Sequence, residues 1–159
     1  MSILKFETRT PKSLSEIYSY LTDKKKTDIN GIFGIGCNPE TAVSDMEFIQ
    51  KLYYHDNLPH PYLQVIFSFD RKMKLPFHSI KNICFQIGNV LIIDKRQVFG
   101  AIHYLGKDSE NIHCHFIINF IGIEGTKYKQ WFSLRHYKIS VNKILTFYGL
   151  EKIKFFHSN

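Results

Sequence analysis

The sequence predicts an α+β domain, a central, mostly antiparallel sheet with helices packed on one face. Strand-like and helix-like stretches follow one another in the order βα(β)αβαββαβ, and two consecutive strands are joined by a short polar link. The 159 residues amount to about one domain at roughly 100–200 residues per domain. No repeat, low-complexity tract or Pro/Gly/Ser linker divides them, so 1–159 reads as a single unit. Hydrophobic residues make up 44% and charged residues 22%, a balance that supports a packed core and excludes a disordered polymer or a fibrous repeat.

Met1 to Thr8 alternates loosely and reads as the first strand, closed by Pro11. Ser13 followed by Glu16 has capping-box spacing, and Leu14, Ile17, Tyr18 and Leu21 recur on one helical face. This predicts an amphipathic helix from Ser13 to Asp23, ending before Lys24-Lys25-Lys26. Gly31 to Gly36 is glycine-rich and fits a short strand or a loop close to another backbone; it lacks phosphate-loop spacing. Pro39 to His55 reads as a second helix, Tyr62 to Phe69 as a strand and Phe77 to Asn89 as a third helix. Gln97 to Leu105 and Ile112 to Ile121 read as strands flanking the polar link Gly106 to Asn111. Ser133 to Tyr148 returns to helical spacing with Gly149 as its stop, and Lys152 to Phe156 reads as a last edge strand.

Twenty-one Lys and Arg against fourteen Asp and Glu leave a net charge of +7, which favours polyanionic partners such as nucleic acid or an anionic membrane surface. No apolar run approaches the ~20 residues of a membrane span, and no signal peptide opens the chain, so neither export nor membrane insertion is expected. Cys37, Cys84 and Cys114 are odd in number and widely spaced, which excludes a disulfide framework and a Cys-rich zinc site and fits a reducing cytoplasm.

The most informative segment is His113-Cys114-His115-Phe116-Ile117-Ile118-Asn119. In a strand His113, His115, Ile117 and Asn119 share one face, and Cys114, Phe116 and Ile118 the other. Two imidazoles side by side suit a divalent metal, which needs a third protein ligand; His103 on the preceding strand offers one. Ordinary histidines on a partly solvated sheet face are the alternative. On the first helix Tyr18 belongs to the apolar stripe, whereas Tyr20 lies about 240° round from Leu14 at ~100° per residue. Its hydroxyl is therefore free to act as a nucleophile, or Tyr20 is a surface residue. Lys24, Lys25 and Lys26 follow directly, and Lys127, Lys129, Arg135 and Lys138 interleave with Tyr128, Trp131 and Tyr137. Such mixtures bind single-stranded nucleic acid by charge and stacking, or form a solvated basic face.

Together these residues resemble the nuclease domain of conjugative relaxases, or mobilization nucleases, of the HUH endonuclease superfamily, over nearly the whole chain from Leu14 to Leu150. Tyr20-Leu21-Thr22-Asp23 is similar to the family's Tyr-(Leu/Ile)-(Thr/Ser) on an N-terminal helix. Gly36-Cys37-Asn38 resembles its Gly-rich step to an Asn-Cys pair, reversed here. Val65-Ile66-Phe67-Ser68-Phe69 resembles its strand ending in Ser-Phe, with Gln64 where many members have histidine. His103, His113, His115 and Asn119 match its closing motif. Tyrosine precedes the histidine pair, as in relaxases; rolling-circle replication initiators of the superfamily have the reverse order. Leu105 stands where an Asp is usual, and the link from His103 to His113 is longer than in most members.

The resemblance implies an α+β fold with a metal site on the sheet face, Tyr20 as nucleophile, and His103, His113 and His115 as ligands of a divalent metal (Mn²⁺ or Mg²⁺, with Zn²⁺ also suited). Asn119 would support the site, and Asp108 or Glu110 would supply the missing oxygen partner of a ligand histidine. It further implies a site- and strand-specific nickase that forms a 5′-phosphotyrosine on single-stranded DNA at a transfer origin. Such a nickase starts transfer or mobilization of a plasmid or integrative element in the bacterial cytoplasm, with accessory relaxosome proteins. Lys24, Lys25, Lys26, Lys127, Lys129 and Arg135 would contact the DNA. The alternatives are a non-catalytic nucleic-acid-binding module or a rolling-circle replication initiator of the same superfamily.

Overall fold

The computed structural model describes residues 1–7, 11–54 and 58–154. Strands β1 (Ile3–Phe6), β2 (Ile32–Ile35), β3 (Tyr62–Ser68), β4 (Val98–His103) and β5 (His113–Asn119) form one sheet ordered β1-β3-β5-β4-β2, with every neighbouring pair antiparallel. The helices are α1 (Leu14–Leu21), α2 (Ala42–Tyr53), α3 (Phe77–Val90) and α4 (Leu134–Phe147). The glycine-rich stretch is thus a strand, and the α+β antiparallel architecture is the expected one.

Helices cover both faces of the sheet rather than one. The reason lies in β4 and β5, whose residues are all buried except half-buried His113, so each face needs an apolar cover. On one face Val65, Phe67, Cys114, Phe116 and Ile118 pack with Ile80, Ile83 and Ile87 of α3 and with Tyr137, Val141 and Leu145 of α4. On the other, Phe99, Ala101 and Ile117 pack with Leu14, Ile17 and Leu21 of α1 and with Ala42 and Met46 of α2. That second face carries the histidines, and towards β1 it stays open: Ile3 is 50% exposed, and Ile66 and Ser68 of β3 are half-buried.

Ser13 caps α1 as its spacing requires, its Oγ accepting the Glu16 amide at 3.1 Å. The helix stops at Leu21, short of Asp23; Thr22 leaves helical geometry, its amide completing the last helical bond to the Tyr18 carbonyl at 2.9 Å and its hydroxyl bonding the same oxygen at 2.8 Å. The chain then turns, with the Lys26 amide on the Asp23 carbonyl at 2.9 Å. α4 ends at Phe147 and Gly149 takes the left-handed φ of 71° that a helix stop uses.

The expected last strand does not form over 151–154. Buried Asn142 of α4 takes the place of a strand partner: its Oδ1 accepts the Ile153 amide at 2.6 Å and its Nδ2 donates to the Ile153 carbonyl at 3.2 Å. Asn142→Ala should therefore cost about 1–3 kcal/mol of stability in chemical denaturation, because it strands a buried amide and carbonyl. Thr8, His55, Phe156 and His157 lie outside the described residues.

Candidate active site

β4 and β5 pair with His103 opposite His113 and Ala101 opposite His115, so the hairpin register alone brings the three imidazoles onto one patch. Ring centroids lie 5.0 Å apart for His103 and His113, 4.6 Å for His103 and His115, and 5.1 Å for His113 and His115. One ligand nitrogen from each falls within 4.8 Å of the others.

The neighbours of His103 and His113 fix which nitrogen of each carries a lone pair. His103 Nε2 meets the Leu21 carbonyl at 2.8 Å, so that nitrogen bears the proton and Nδ1 the lone pair. His113 Nδ1 meets the Asn111 carbonyl at 2.8 Å, which leaves the lone pair on Nε2. These two lone-pair nitrogens face each other at 3.3 Å. Such a pair repels unless a cation or a proton lies between them. Two imidazoles bound tetrahedrally at about 2.0–2.1 Å would stand near this separation, so the donor set fits a divalent metal. His115 Nδ1 meets the Gln64 Nε2 at 2.9 Å, an amide nitrogen that donates to it and so puts the ring proton on Nε2. With a cation bound, the Gln64 amide would have to turn over, its carbonyl oxygen accepting Nδ1–H and freeing Nε2.

Burial holds His103 below the usual imidazole value against the Leu21 bond, which raises it; His113 and Lys26 add to the lowering and Asp108 opposes it. Burial pushes His115 down to about 2, reinforced by His103, His113 and Lys26. Both rings are therefore neutral at pH 7 and ready to ligate. An unfolded histidine binds a proton below about 6.5 that the folded His115 refuses, so the metal-free fold should lose stability as pH falls through 6, by up to about 1.4 kcal/mol per pH unit per such histidine. Denaturation at pH 7.5, 6 and 5 measures this slope, and His115→Leu should reduce it.

Tyr20 is 49% exposed at the C-terminal end of α1, next to the Leu21 whose carbonyl holds His103. The Lys26 ammonium sits over its ring, 3.8 Å from the centroid, and Lys12 lies at 5.4 Å. Lys26 thus links the tyrosine to the imidazoles whose protonation its charge opposes. Tyr18 is engaged elsewhere: its hydroxyl donates to the Pro39 carbonyl at 2.9 Å and its ring packs on Phe99. Burial and then Glu40 raise its phenol above the usual value.

Of the proposed supporting residues, Asp108 approaches the triad, its Oδ2 4.0 Å from His103 Nδ1. Glu110 is exposed on the same short turn, Gly106–Glu110. Asn119 is buried at the other end of β5, where it binds Gln50, Gln97 and the Met46 carbonyl and so ties α2 to the sheet. The basic residues separate into two groups. Lys24 and Lys25 are exposed on the turn after α1, beside half-buried Lys26. Lys127, Lys129 and Arg135 follow β5, which has carried the chain about 20 Å from His113 to Asn119. The aromatic residues among them are structural: Tyr137 is core, and Tyr128 and Trp131 pack on each other beside buried Arg96. Arg96, which the sequence did not single out, bonds Asp94 and the carbonyls of Asn119, Phe120 and Thr126.

A family model described as "Relaxase: MobA/VirD2-like, nuclease domain" matches residues 20–150, from the tyrosine at the end of α1 to just beyond α4. No curated protein matches the chain. Among the described residues no helix is long and apolar enough to cross a membrane.

Proposed function

The chain belongs to the MobA/VirD2-like relaxase nuclease domains, and from that premise we propose that residues 1–159 form a site- and strand-specific DNA nickase. It would act on single-stranded DNA at the transfer origin of a plasmid or integrative element, in a bacterial cytoplasm, with accessory relaxosome proteins. The observation that carries the reading is the imidazole triad with its two facing lone pairs, its His103 ring held by the carbonyl next to Tyr20.

His103, His113 and His115 would hold a divalent cation, Mn²⁺ or Mg²⁺ with Zn²⁺ also suited, which when bound polarises the scissile phosphate. Tyr20 is the nucleophile. As its Oη–P bond forms, the P–O3′ bond breaks, the phenol proton passes to solvent water and the 3′ oxygen takes one up from it. One ester replaces another, so the 3′-hydroxyl can reverse the step and reseal the strand without a nucleotide cofactor. Lys26, over the Tyr20 ring, holds that ring in place and presents a positive charge to the phosphate oxygens. Leu21 fixes the orientation of His103 from the same helix end, which couples nucleophile and metal site mechanically. Incubation with labelled single-stranded origin DNA and Mn²⁺ tests the proposal: the nickase leaves a denaturant-stable protein–DNA adduct, and a binding module leaves none.

A further inference from the structure

The turn after α1 and the His103–His113 link close on each other around a groove of about 540 Å³ lined by Asp23, Lys25, Lys26, Gly106, Lys107 and Asp108. Both walls are fixed. The Lys26 carbonyl accepts the amides of Tyr104 and Leu105 at 3.0 and 3.1 Å. Gly106 has a φ of +57°, and a Cβ there would stand 2.8 Å from the Lys25 carbonyl, so the walls approach this closely only because the residue is glycine. Within the link the Asp108 amide bonds Leu105, the Asn111 amide bonds Asp108, and the Ser109 hydroxyl bonds the Gly106 carbonyl.

Three lysines therefore reach one groove from two separate segments. Two carboxylates share the groove, Asp23 accepting the Lys25 amide at 2.9 Å and Asp108 facing His103 at 4.0 Å, so the lysines outnumber them by one. That second contact also places the inner end of the groove at the imidazoles. A groove with a net positive lining, its walls tied together and its inner end at the imidazoles, suits a phosphodiester better than a neutral base.

We propose that this groove holds the phosphodiester next to the scissile one, and that Lys107, on the longer link, is its contact on the far wall. The inference rests on the single-stranded DNA reading above and deepens it: the link is a DNA-positioning element, and Lys107 sets where the strand lies relative to Tyr20.

The test uses Tyr20→Phe protein, so that the strand stays whole, with Mn²⁺ and origin oligonucleotides. Lys107→Ala in that background should weaken binding about three- to tenfold at low salt and flatten the plot of log K against log[salt] by about 0.7. Neutral methylphosphonates placed singly beside the nick should then identify one position at which Lys107→Ala no longer matters. Lys107 is exposed, so the two proteins should melt alike. Unchanged affinity and slope, or an equal loss with every methylphosphonate, would overturn the groove assignment while the nuclease reading stands. Failure of the parent to bind any single strand would overturn both.

Discussion

Tyr20→Phe is expected to abolish strand cleavage and the covalent adduct, by more than about a thousandfold, while leaving DNA affinity nearly unchanged. The substitution removes one hydroxyl from a half-exposed ring and keeps the face on which Lys26 rests, so neither the end of α1 nor the lysine has reason to move. Tyr18→Phe is the matched control, two residues away on the same helix. It loses the bond to the Pro39 carbonyl and should cost about 1 kcal/mol of stability with the adduct retained. Gel separation of cleaved strand and adduct, with a binding titration for each variant, distinguishes the two. A Tyr20→Phe protein that still forms adduct would remove Tyr20 from the chemistry.

The second large effect concerns the triad. His113→Ala should lower Mn²⁺ affinity by at least about a hundredfold and abolish adduct formation, with little change in melting, because His113 is the half-exposed member and its loss opens no core cavity. His103→Ala should lose metal and adduct equally but also destabilise the fold. His103 is 2% exposed, and its removal leaves the Leu21 carbonyl without a donor at the end of α1. Calorimetric metal titration beside thermal melts separates the two behaviours. If His103→Ala kept both metal and adduct, Asp108, already 4.0 Å from that ring, would be the first replacement ligand to examine.

The histidine patch was legible because it rests on two simple periodicities. Alternation along β5 puts His113 and His115 on one face and Cys114 on the other, and a short antiparallel hairpin brings His103 opposite. Helical spacing likewise separated Tyr20 from Tyr18. What escaped the sequence has backbone groups or distant pairings at its root. The Leu21 carbonyl that orients His103 lies 82 positions away, and a main-chain oxygen has no residue-type signature. The second helical layer was missed although the unbroken apolar run Phe116-Ile117-Ile118 in β5 is what a strand buried on both faces looks like. Ile153 alternates like a strand residue, yet its partner is the side chain of Asn142. Gln64 did leave a trace, a polar residue within an apolar strand, but only the register of β3 on β5 shows that it reaches His115. Lys24, Lys25 and Lys26 form a uniform basic run in the sequence, whereas the turn after α1 lays Lys26 over Tyr20.

Mapping the covalent bond tests the central claim most directly. Wild-type protein is allowed to react with single-stranded origin DNA and Mn²⁺, denatured, and digested with trypsin and nuclease. The peptide spanning Ser13 to Lys24 holds both Tyr18 and Tyr20, so its fragment ions must place the modification. The account predicts a 5′-phosphonucleotide on Tyr20 alone, formed only with divalent metal and absent from His113→Ala protein. A modification on Tyr18 or any other residue, or DNA bound with metal and no covalent product at all, would contradict it.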